Sequence, residues 1–424
     1  MTSMNIQTVR RVTRNLARNA APIVAALVLG ACDVHVTNPG PIQATFLENK
    51  NALGAIVNGA GRNLAEAINW TAYTGGAVAR ELFPAGSTGS FGITVQQQSG
   101  KLTTDEVSTH WNLSQQARWT AEDAITRTKG ILGATDAAKS VQVAQALVWA
   151  GYANRQLGEN FCDGVIDGSA KQSYTVYLGR AEANFTEAIA VATAAANANL
   201  ITAATAGRAS VRLLKNNLTG AVADAAGIVS TFTYKMPYFV TDLDQYNRIY
   251  WAGANQPYRA HTVWNTYYEA YRKATKDPRV PFDSSATQTQ GDAAVGSLGK
   301  VRWYFQTKYA TQTSGITLSS GWEMRLIEAE SKLVGGDVTG AMAILNARRT
   351  GLTLAPLTAA NDTEAWVALK RERGIELWLE ARRLGDFRRW AALSRPGVSD
   401  DMTGRDMCFA TPRSEIETNP NFIP

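Results

Sequence analysis

Apolar side chains recur at helical spacing over most of the chain beyond residue 45. In one stretch the positions i, i+3, i+4, i+7 and i+8 are Ala144, Leu147, Val148, Gly151 and Tyr152. This period puts the apolar side chains on one face of an amphipathic helix. The stretch around 235–320 has no sustained period and is rich in Gly, Pro, Thr, Ser and aromatic residues, so we expect long loops with short helices there. The chain is therefore predicted to be all-α.

A helix–turn–helix pattern occurs twice, at an offset of 120 residues. Residues 213–221 (LLKNNLTGA) align with residues 333–341 (LVGGDVTGA), and each copy turns through Asn or Gly before a second helix that starts at Thr-Gly-Ala. Residues 157–160 end an earlier helix in a similar way. Units of this kind are typical of tetratricopeptide-like repeats. We predict repeat-like helix pairs around 141–230 and 322–392, with plain helical hairpins as the alternative.

Charged residues are dense in the C-terminal stretch from Glu364 to Trp390, which has the pattern of one helix or of two helices in series. Arg373 and Arg383 lie close to Glu376 and Glu380 in the helical period, which favours a salt-bridged face. A basic ligand-binding patch is the alternative. A solvated or internally paired surface is the more common role of such a charge run.

The N-terminal stretch has the pattern of an export signal. Four arginines between 10 and 18 precede a short apolar run over 20–29, which is too short for a membrane span of roughly 20 residues. The run ends in Leu-Gly-Ala-Cys, which resembles a bacterial lipobox with Cys32 as the acylated residue. We expect a lipoprotein signal peptide over 1–31, a tether over 32–45 and a single folded domain over 46–424. An ordinary signal peptide is the alternative.

Composition excludes a disordered chain and gives little support to nucleic-acid binding. Of the 424 residues, 45% are hydrophobic and 18% are charged, which is enough apolar material for a large core. The formal net charge is +6, but four of the 42 basic residues and none of the 36 acidic ones lie in the first 31 residues. The remaining chain carries a net charge of only +2, so we expect no nucleic-acid partner.

With these features in view, the chain resembles the SusD/RagB-type outer-membrane lipoproteins. The resemblance extends over the whole chain. Four stretches carry it: Cys32 with the tether that follows, residues 326–350 (LIEAESKLVGGDVTGAMAILNARRT), residues 371–390 (RERGIELWLEARRLGDFRRW) and residues 408–421 (CFATPRSEIETNPN).

The resemblance implies an all-α, SusD-like fold, in which a scaffold of tetratricopeptide-like helix pairs carries a loop-rich ligand-binding portion. It also implies a lipid-anchored protein of the outer membrane that faces the cell exterior and captures oligosaccharides or peptides. The implied partner is a SusC-like TonB-dependent transporter. A tetratricopeptide-like interaction scaffold that binds partner proteins and no small ligand is the second hypothesis.

Signatures of catalysis are missing from the sequence. The three histidines, His35, His110 and His261, form no zinc-binding motif, and no phosphate-binding loop or nucleophile elbow occurs. We expect His110 to have a packing or hydrogen-bonding role. A pair of carboxylates acting as a glycosidase is a distant third hypothesis. The chain is predicted to have no catalytic residues, no metal site and no cofactor.

Cys162 and Cys408 are the cysteines that remain once Cys32 carries lipid. In an oxidising exported compartment two such cysteines favour a disulfide. It would attach the C-terminal tail to the first repeat. Two separate buried thiols are the alternative.

Aromatic residues interleaved with polar ones supply candidates for ligand binding. Sugar rings have an apolar C–H face that packs on Trp or Tyr, while their hydroxyls need polar partners. Two clusters, which we expect in loop-rich parts, have this mixture. The first consists of Asn69, Trp70, Tyr73, Arg80 and Glu81, and the second of Tyr246, Asn247, Arg248, Tyr250, Trp251, Asn255, Gln256 and Tyr258. From them we choose five candidates: Trp70, Tyr73, Tyr250, Trp251 and Tyr258. The aromatic residues over 264–271 have helical spacing instead, and we expect them to pack inward.

Overall fold

Helices dominate the architecture, as the periodicity predicts, and the all-α assignment is confirmed. The computed structural model describes residues 47–254 and 258–423. In chain order the α-helices of this part are α1 (Leu53–Val78), α2 (Val95–Gln98), α3 (Ser108–Ala137), α4 (Val141–Asn160), α5 (Thr175–Ala194), α6 (Ala198–Leu214), α7 (Leu218–Ala225), α8 (Arg248–Gly253), α9 (Tyr267–Thr275), α10 (Gly321–Val334), α11 (Val338–Gly351), α12 (Asp362–Glu376), α13 (Arg383–Ala392) and α14 (Arg413–Thr418).

Consecutive helices pack on one another to form a scaffold. Helix α3 contacts α1 and α4, and the series continues through α5, α6 and α7. The next member is α10, which packs on α7 and is followed by α11 and α12. The segment between α7 and α10, residues 226–320, is therefore an insertion between two neighbouring scaffold helices.

The two copies of the repeated turn have the same geometry. Asn217 and Asp337 are the N-caps of α7 and α11, and each side chain accepts a hydrogen bond from the backbone N–H three residues on. The residue before each cap is left-handed, with φ of 58° at Asn216 and 78° at Gly336. These turns confirm the helix-pair prediction. The expected similarity of residues 157–160 is wrong, because α4 is followed by an extended Phe161 and not by a left-handed turn.

Glycine allows three scaffold helices to approach around one aromatic ring. Phe185 of α5 is fully buried between Gly151 of α4 and Gly207 of α6. A Cβ atom at Gly151 would lie 2.5 Å from the ring of Phe185, and one at Gly207 would lie 2.4 Å from it. A larger side chain at either position would force the helices apart.

Short strands order the inserted segment, where the sequence pattern predicts only loops and short helices. The eight strands of the described chain form four antiparallel pairs, β1 with β5, β2 with β3, β4 with β8 and β6 with β7. Their bounds are β1 (Phe83–Pro84), β2 (Asp163–Gly164), β3 (Gln172–Ser173), β4 (Thr233–Met236), β5 (His261–Thr262), β6 (Phe282–Ser284), β7 (Tyr304–Gln306) and β8 (Ile316–Ser320). Strands β4 and β8 pair at the two ends of the insertion and close its base.

The charged C-terminal stretch forms two helices in series, one of the two predicted arrangements. Helix α12 ends at Glu376 and α13 begins at Arg383. Between them Leu379 and Ala381 are both left-handed, with φ of 61°. Two such residues are incompatible with a continuous α-helix.

The charges of this stretch are paired internally, but not with the partners that helical spacing suggests. Glu376 binds Arg348 at 2.8 Å and Arg279 at 3.1 Å, not Arg373 or Arg383. One ion pair joins two scaffold helices and the other joins α12 to the inserted segment, and both are largely buried. The charged side chains are therefore paired as predicted, but they lie in the interior of the protein and not on its surface.

Arg382 is the centre of a buried group of ion pairs. Its Nε donates to Glu159 Oε1 at 2.6 Å, and its Nη2 lies 2.7 Å from Glu323 Oε1. Arg373 donates to Asp386 at 2.7 Å within the same group. Burial alone would raise the pKa of Glu323, but Arg382, Arg155 and Arg373 outweigh it and hold that pKa below its ordinary value. The carboxylate stays ionised because three guanidinium groups surround it.

A disulfide joins Cys162, just beyond α4, to Cys408, with the two Cα atoms 5.2 Å apart. The backbone pairs at the same place, since Cys162 N–H donates to the carbonyl of Phe409 at 2.9 Å. The C-terminal tail is thereby fixed against the loop that follows α4.

No helix between residues 47 and 254 or between 258 and 423 has the length and hydropathy needed to cross a bilayer. The predictions of a signal peptide over 1–31, an acylated Cys32 and a tether over 32–45 fall outside the described residues.

Candidate functional site

The two aromatic clusters picked out from the sequence meet in the structure at one polar side chain. Asn69 on α1 donates from Nδ2 to the carbonyl of Tyr246 at 2.6 Å, and its Oδ1 accepts from the N–H of Arg248 at 2.7 Å. Asn69 is buried, so both bonds are shielded from water. The segment before α8 is therefore attached to α1. The expectation that the first cluster lies in a loop is wrong, because Asn69, Trp70 and Tyr73 belong to α1.

Four rings follow one another across this junction, and we call them the aromatic row: Tyr246, Trp251, Tyr258 and Phe91. Ring centroids are 5.2 Å apart between Tyr246 and Trp251 and 5.0 Å between Trp251 and Tyr258. Phe91 lies 5.4 Å from Tyr258. Tyr258 is 38% exposed, Trp251 and Tyr246 are half-buried, and Phe91 is buried. The row thus presents aromatic surface to solvent on a packed base.

Trp70 supports the aromatic row from beneath and is not a freely accessible ring. The guanidinium carbon of Arg248 lies 3.5 Å from the centroid of its ring, a cation–π contact. On the other flank Gly92 has φ of 81°, and a Cβ atom there would lie 2.3 Å from the Trp70 ring. Arg248 also donates from Nε to the carbonyl of Phe91 at 3.1 Å. Trp70 and Arg248 therefore position Phe91.

Tyr73 is a core residue, so its prediction as a ligand contact is wrong. Its side chain has no exposed surface, and its hydroxyl lies 2.7 Å from Nδ1 of the buried His261. Tyr73 is on the inward face of α1, three residues after Trp70. Tyr250, another candidate, is half-buried and packs against the main core from α8. Of the five candidates, only Trp251 and Tyr258 lie in the aromatic row.

Two buried histidines lie near this junction. His110 pairs with Thr74 Oγ1 at 2.7 Å, and the sequence-based expectation of a hydrogen-bonding role agrees with this contact. Burial lowers the pKa of both His110 and His261 to about 3, so both rings are neutral at physiological pH. Among the residues described, no three His, Cys, Asp or Glu side chains are grouped so that they could hold a metal ion.

Sequence reasoning missed Phe91 and underrated Tyr246 as members of the row. Phe91 ends a short turn over 88–91, whose conformation is set by Gly92 and is not visible in the hydrophobic pattern. Tyr246 was in the second cluster but not among the five candidates. The polar residues Asn255 and Gln256 of that cluster lie outside the described residues.

Comparison with known proteins finds a family model and solved structures that resemble this chain. The family model described as the SusD family matches residues 234–422. A search among curated proteins found no match.

Solved structures match over most of the chain. A SusD superfamily protein from Bacteroides thetaiotaomicron has 13% sequence identity and a TM-score of 0.62, with 89% of this chain and 98% of that chain covered. Surface glycan-binding protein A from the same species has 13% identity and a TM-score of 0.61, with the same coverage. A SusD-like carbohydrate binding protein from Bacteroides vulgatus has 16% identity and a TM-score of 0.56, with 80% and 83% covered.

These structures show that the fold is the SusD fold. The resemblance seen in the sequence is thereby confirmed, since residues 234–422 match the SusD family model and the fold is similar to that of SusD superfamily structures.

Proposed function

We propose that this chain binds oligosaccharides on the aromatic row without altering them. The observation that carries the proposal is the contiguity of Tyr246, Trp251 and Tyr258, whose rings lie about 5 Å apart with part of each exposed. Rigid aromatic faces provide large contact area and lose little conformational entropy on binding. The apolar faces of successive sugar rings can pack on such a row while their hydroxyls remain hydrated.

Two matched structures support sugars over other ligands. One is described as a surface glycan-binding protein and another as a carbohydrate binding protein. At 13% and 16% identity they share the fold with this chain, so the ligand class is a proposal here. A peptide is the other ligand class that the sequence leaves open, and it is an outcome of the test below.

We further propose that Cys32 is acylated and that the lipid holds the protein on the outer membrane, facing the cell exterior. From there it would pass its sugar to a SusC-like TonB-dependent transporter. Metabolic labelling with a fatty-acid analogue should mark the chain and should not mark Cys32→Ala. Purification from membranes should recover a large barrel protein with it. Absence of label, or recovery without a barrel protein, would contradict the corresponding part.

The main test measures sugar binding to the full chain by calorimetry. The probes are malto-, cello-, xylo- and mannohexaose, with a hexapeptide library as the competing ligand class. We expect one of the four hexasaccharides to bind, and Trp251→Ala to weaken that binding about tenfold, equivalent to about 1.4 kcal/mol for the loss of one aromatic contact.

Two controls accompany this variant. Trp251→Phe keeps a ring in the row and should retain most of the affinity, and Val229→Ala changes an exposed apolar side chain in another loop and should have no effect. Binding of the peptide library alone would replace sugars by peptides as the ligand class. Unchanged affinity of Trp251→Ala would show that the aromatic row is not the site.

A further inference from the structure

Helix α3 presents an unpartnered polar and aromatic stripe that shares no residue with the aromatic row. Asn112, Gln116 and Trp119 follow each other at helical spacing, and all three side chains are exposed. Trp119 is 52% exposed, an unusual position for the largest apolar side chain. In the described part of the chain, none of the three side chains makes a hydrogen bond, an ion pair or a ring contact.

The stripe forms one wall of a cleft of about 350 Å³. The opposite wall consists of the turn between β2 and β3, with Asp167 and Gly168 at its tip, and of Glu415 on α14. Asp167 and Gly168 both have positive φ, of 48° and 74°, which gives the tight turn that carries the carboxylate to the cleft.

Buried contacts hold both walls in place. Arg118, whose side chain is 3% exposed, binds Asp167 at 2.6 Å and Glu122 at 2.8 Å. Asn421 donates to the carbonyl of Gly168 at 2.9 Å, so the tail that is joined to this loop through Cys162 and Cys408 braces the turn. The cleft is therefore preformed, and its free groups do not have to break existing bonds to meet a ligand.

We infer that this cleft is a second oligosaccharide-binding site on the same chain. Trp119 offers its face to the apolar side of a sugar ring. The amides of Asn112 and Gln116 donate to and accept from hydroxyls, and the remaining oxygen of Asp167 accepts from them. A flat ring with uncharged amides and a carboxylate that is already paired suits a neutral sugar better than an anion. The inference rests on the proposed function for its ligand class only.

Two separate sites on one chain would favour polymers over short oligomers, because the second site binds a chain that is already held. Calorimetry of the full chain with the same four hexasaccharides tests this. We expect two molecules of the bound hexasaccharide per wild-type chain. Trp251→Ala should retain one of them, and Trp119→Ala added to that variant should weaken the remaining binding at least about tenfold.

Trp119→Phe, which keeps a ring at this position, should retain the second site. Since Trp119 is exposed, Trp119→Ala should have an unchanged thermal unfolding midpoint, which excludes misfolding as the cause of lost binding. If Trp251→Ala abolishes all binding while Trp119→Ala matches wild type, the cleft is not a site and the proposed function stands. If Trp119→Ala abolishes all binding while Trp251→Ala matches wild type, the cleft is a binding site and the aromatic row is not. Absence of binding to all four sugars overturns both.

Discussion

The scaffold and the insertion use aromatic rings in opposite ways. Phe185 in the scaffold is enclosed by the backbones of two neighbouring helices at Gly151 and Gly207, and none of its surface is exposed. Trp251 in the insertion also lies on a helix, but α8 is only six residues long and the ring contacts two other partly exposed rings. Both residues are apolar and aromatic, and both lie in helices.

These two rings differ because neighbouring helices close over Phe185, whereas α8 is short and leaves the ring of Trp251 partly open. Long helices that pack side by side enclose the side chains that point into the contact between them. Short helices joined by turns leave ring faces partly open, which makes them suitable for contact with a ligand. Substitutions of enclosed scaffold side chains such as Phe185 should therefore change stability. Substitutions of partly exposed rings, Trp251 in the insertion and Trp119 on α3, should change binding.

The largest expected effect is at the buried ion pairs of the scaffold. Arg382→Met would leave Glu159 and Glu323 buried without their shared cation, and should lower the free energy of unfolding by about 3–5 kcal/mol. Urea denaturation gives this value. Arg413→Met removes an exposed ion pair to Asp105 and should leave the free energy of unfolding nearly unchanged, because solvent screens the pair. Equal losses in the two variants would contradict the importance of the buried pairs.

The next largest change in stability is expected where scaffold helices pack closely around Phe185. Gly207→Ala puts a methyl group against the ring of Phe185 and should destabilise the fold by about 1–3 kcal/mol. The matched control is Gly179→Ala on α5, where a Cβ atom meets nothing within 4 Å and helix propensity should raise stability by about 0.5–1 kcal/mol. Thermal unfolding should separate the two alanine variants in opposite directions, and the affinity of the folded protein for sugar should stay unchanged in both.

A pH-dependent effect is expected at Glu81, which follows α1 and contacts the link between α12 and α13. Glu81 accepts a hydrogen bond from the N–H of Leu379 at 3.2 Å. Burial raises the pKa of Glu81 to about 7, against weaker lowering by the Leu379 N–H and by Arg383 and Lys308. Because this pKa lies above the value of an unfolded glutamate, the stability that the neutral carboxyl contributes is complete below about pH 4.5 and is lost as the pH rises through 7.

Glu81→Gln keeps an acceptor for Leu379 and removes the titration. At pH 8 it should be more stable than wild type by about 3 kcal/mol, and at pH 4.5 the two should be nearly equal. Chemical denaturation at both pH values checks this. A difference that is the same at both would mean that Glu81 does not titrate in this range.

The smallest change in stability is expected in the aromatic row itself. Tyr258→Ala removes a ring that is 38% exposed, and should alter the free energy of unfolding by less than about 1 kcal/mol. Its affinity for the bound hexasaccharide should nevertheless fall several-fold, as for Trp251→Ala. A large loss of stability in Tyr258→Ala would show that this ring is structural, like Phe185, and would contradict its assignment to the binding surface.

Much of the scaffold could be predicted from the sequence, because each of its parts has a local signal. The helical period located the helices, and the cap residues Asn217 and Asp337 with their preceding left-handed turns located the repeated unit. The partners of the buried charges could not be predicted, since Glu376 binds Arg348 and Arg279 from distant parts of the chain. Helical spacing gives only neighbours within one helix.

The candidate site was less predictable. Trp251 and Tyr258 were chosen by composition, which does not distinguish them from the buried Tyr73. The face of α1 on which Tyr73 lies depends on what packs there, and His261 arrives from a strand too short to show an alternating pattern. Trp119 was not among the candidates, because its exposure depends on tertiary packing, and only the structure shows that about half of the side chain is open to solvent.

The pairing of Thr233–Met236 with Ile316–Ser320 brings the two ends of the insertion together beside adjacent helices of the stack. The segment between the two strands begins and ends at the same place in the fold. The entropic cost of closing such a loop grows only slowly with its length. The 79 residues between the strands, 237–315, could therefore change in length or sequence without disturbing the helices on either side. The exposed surface of the insertion could then diverge while the scaffold stays the same.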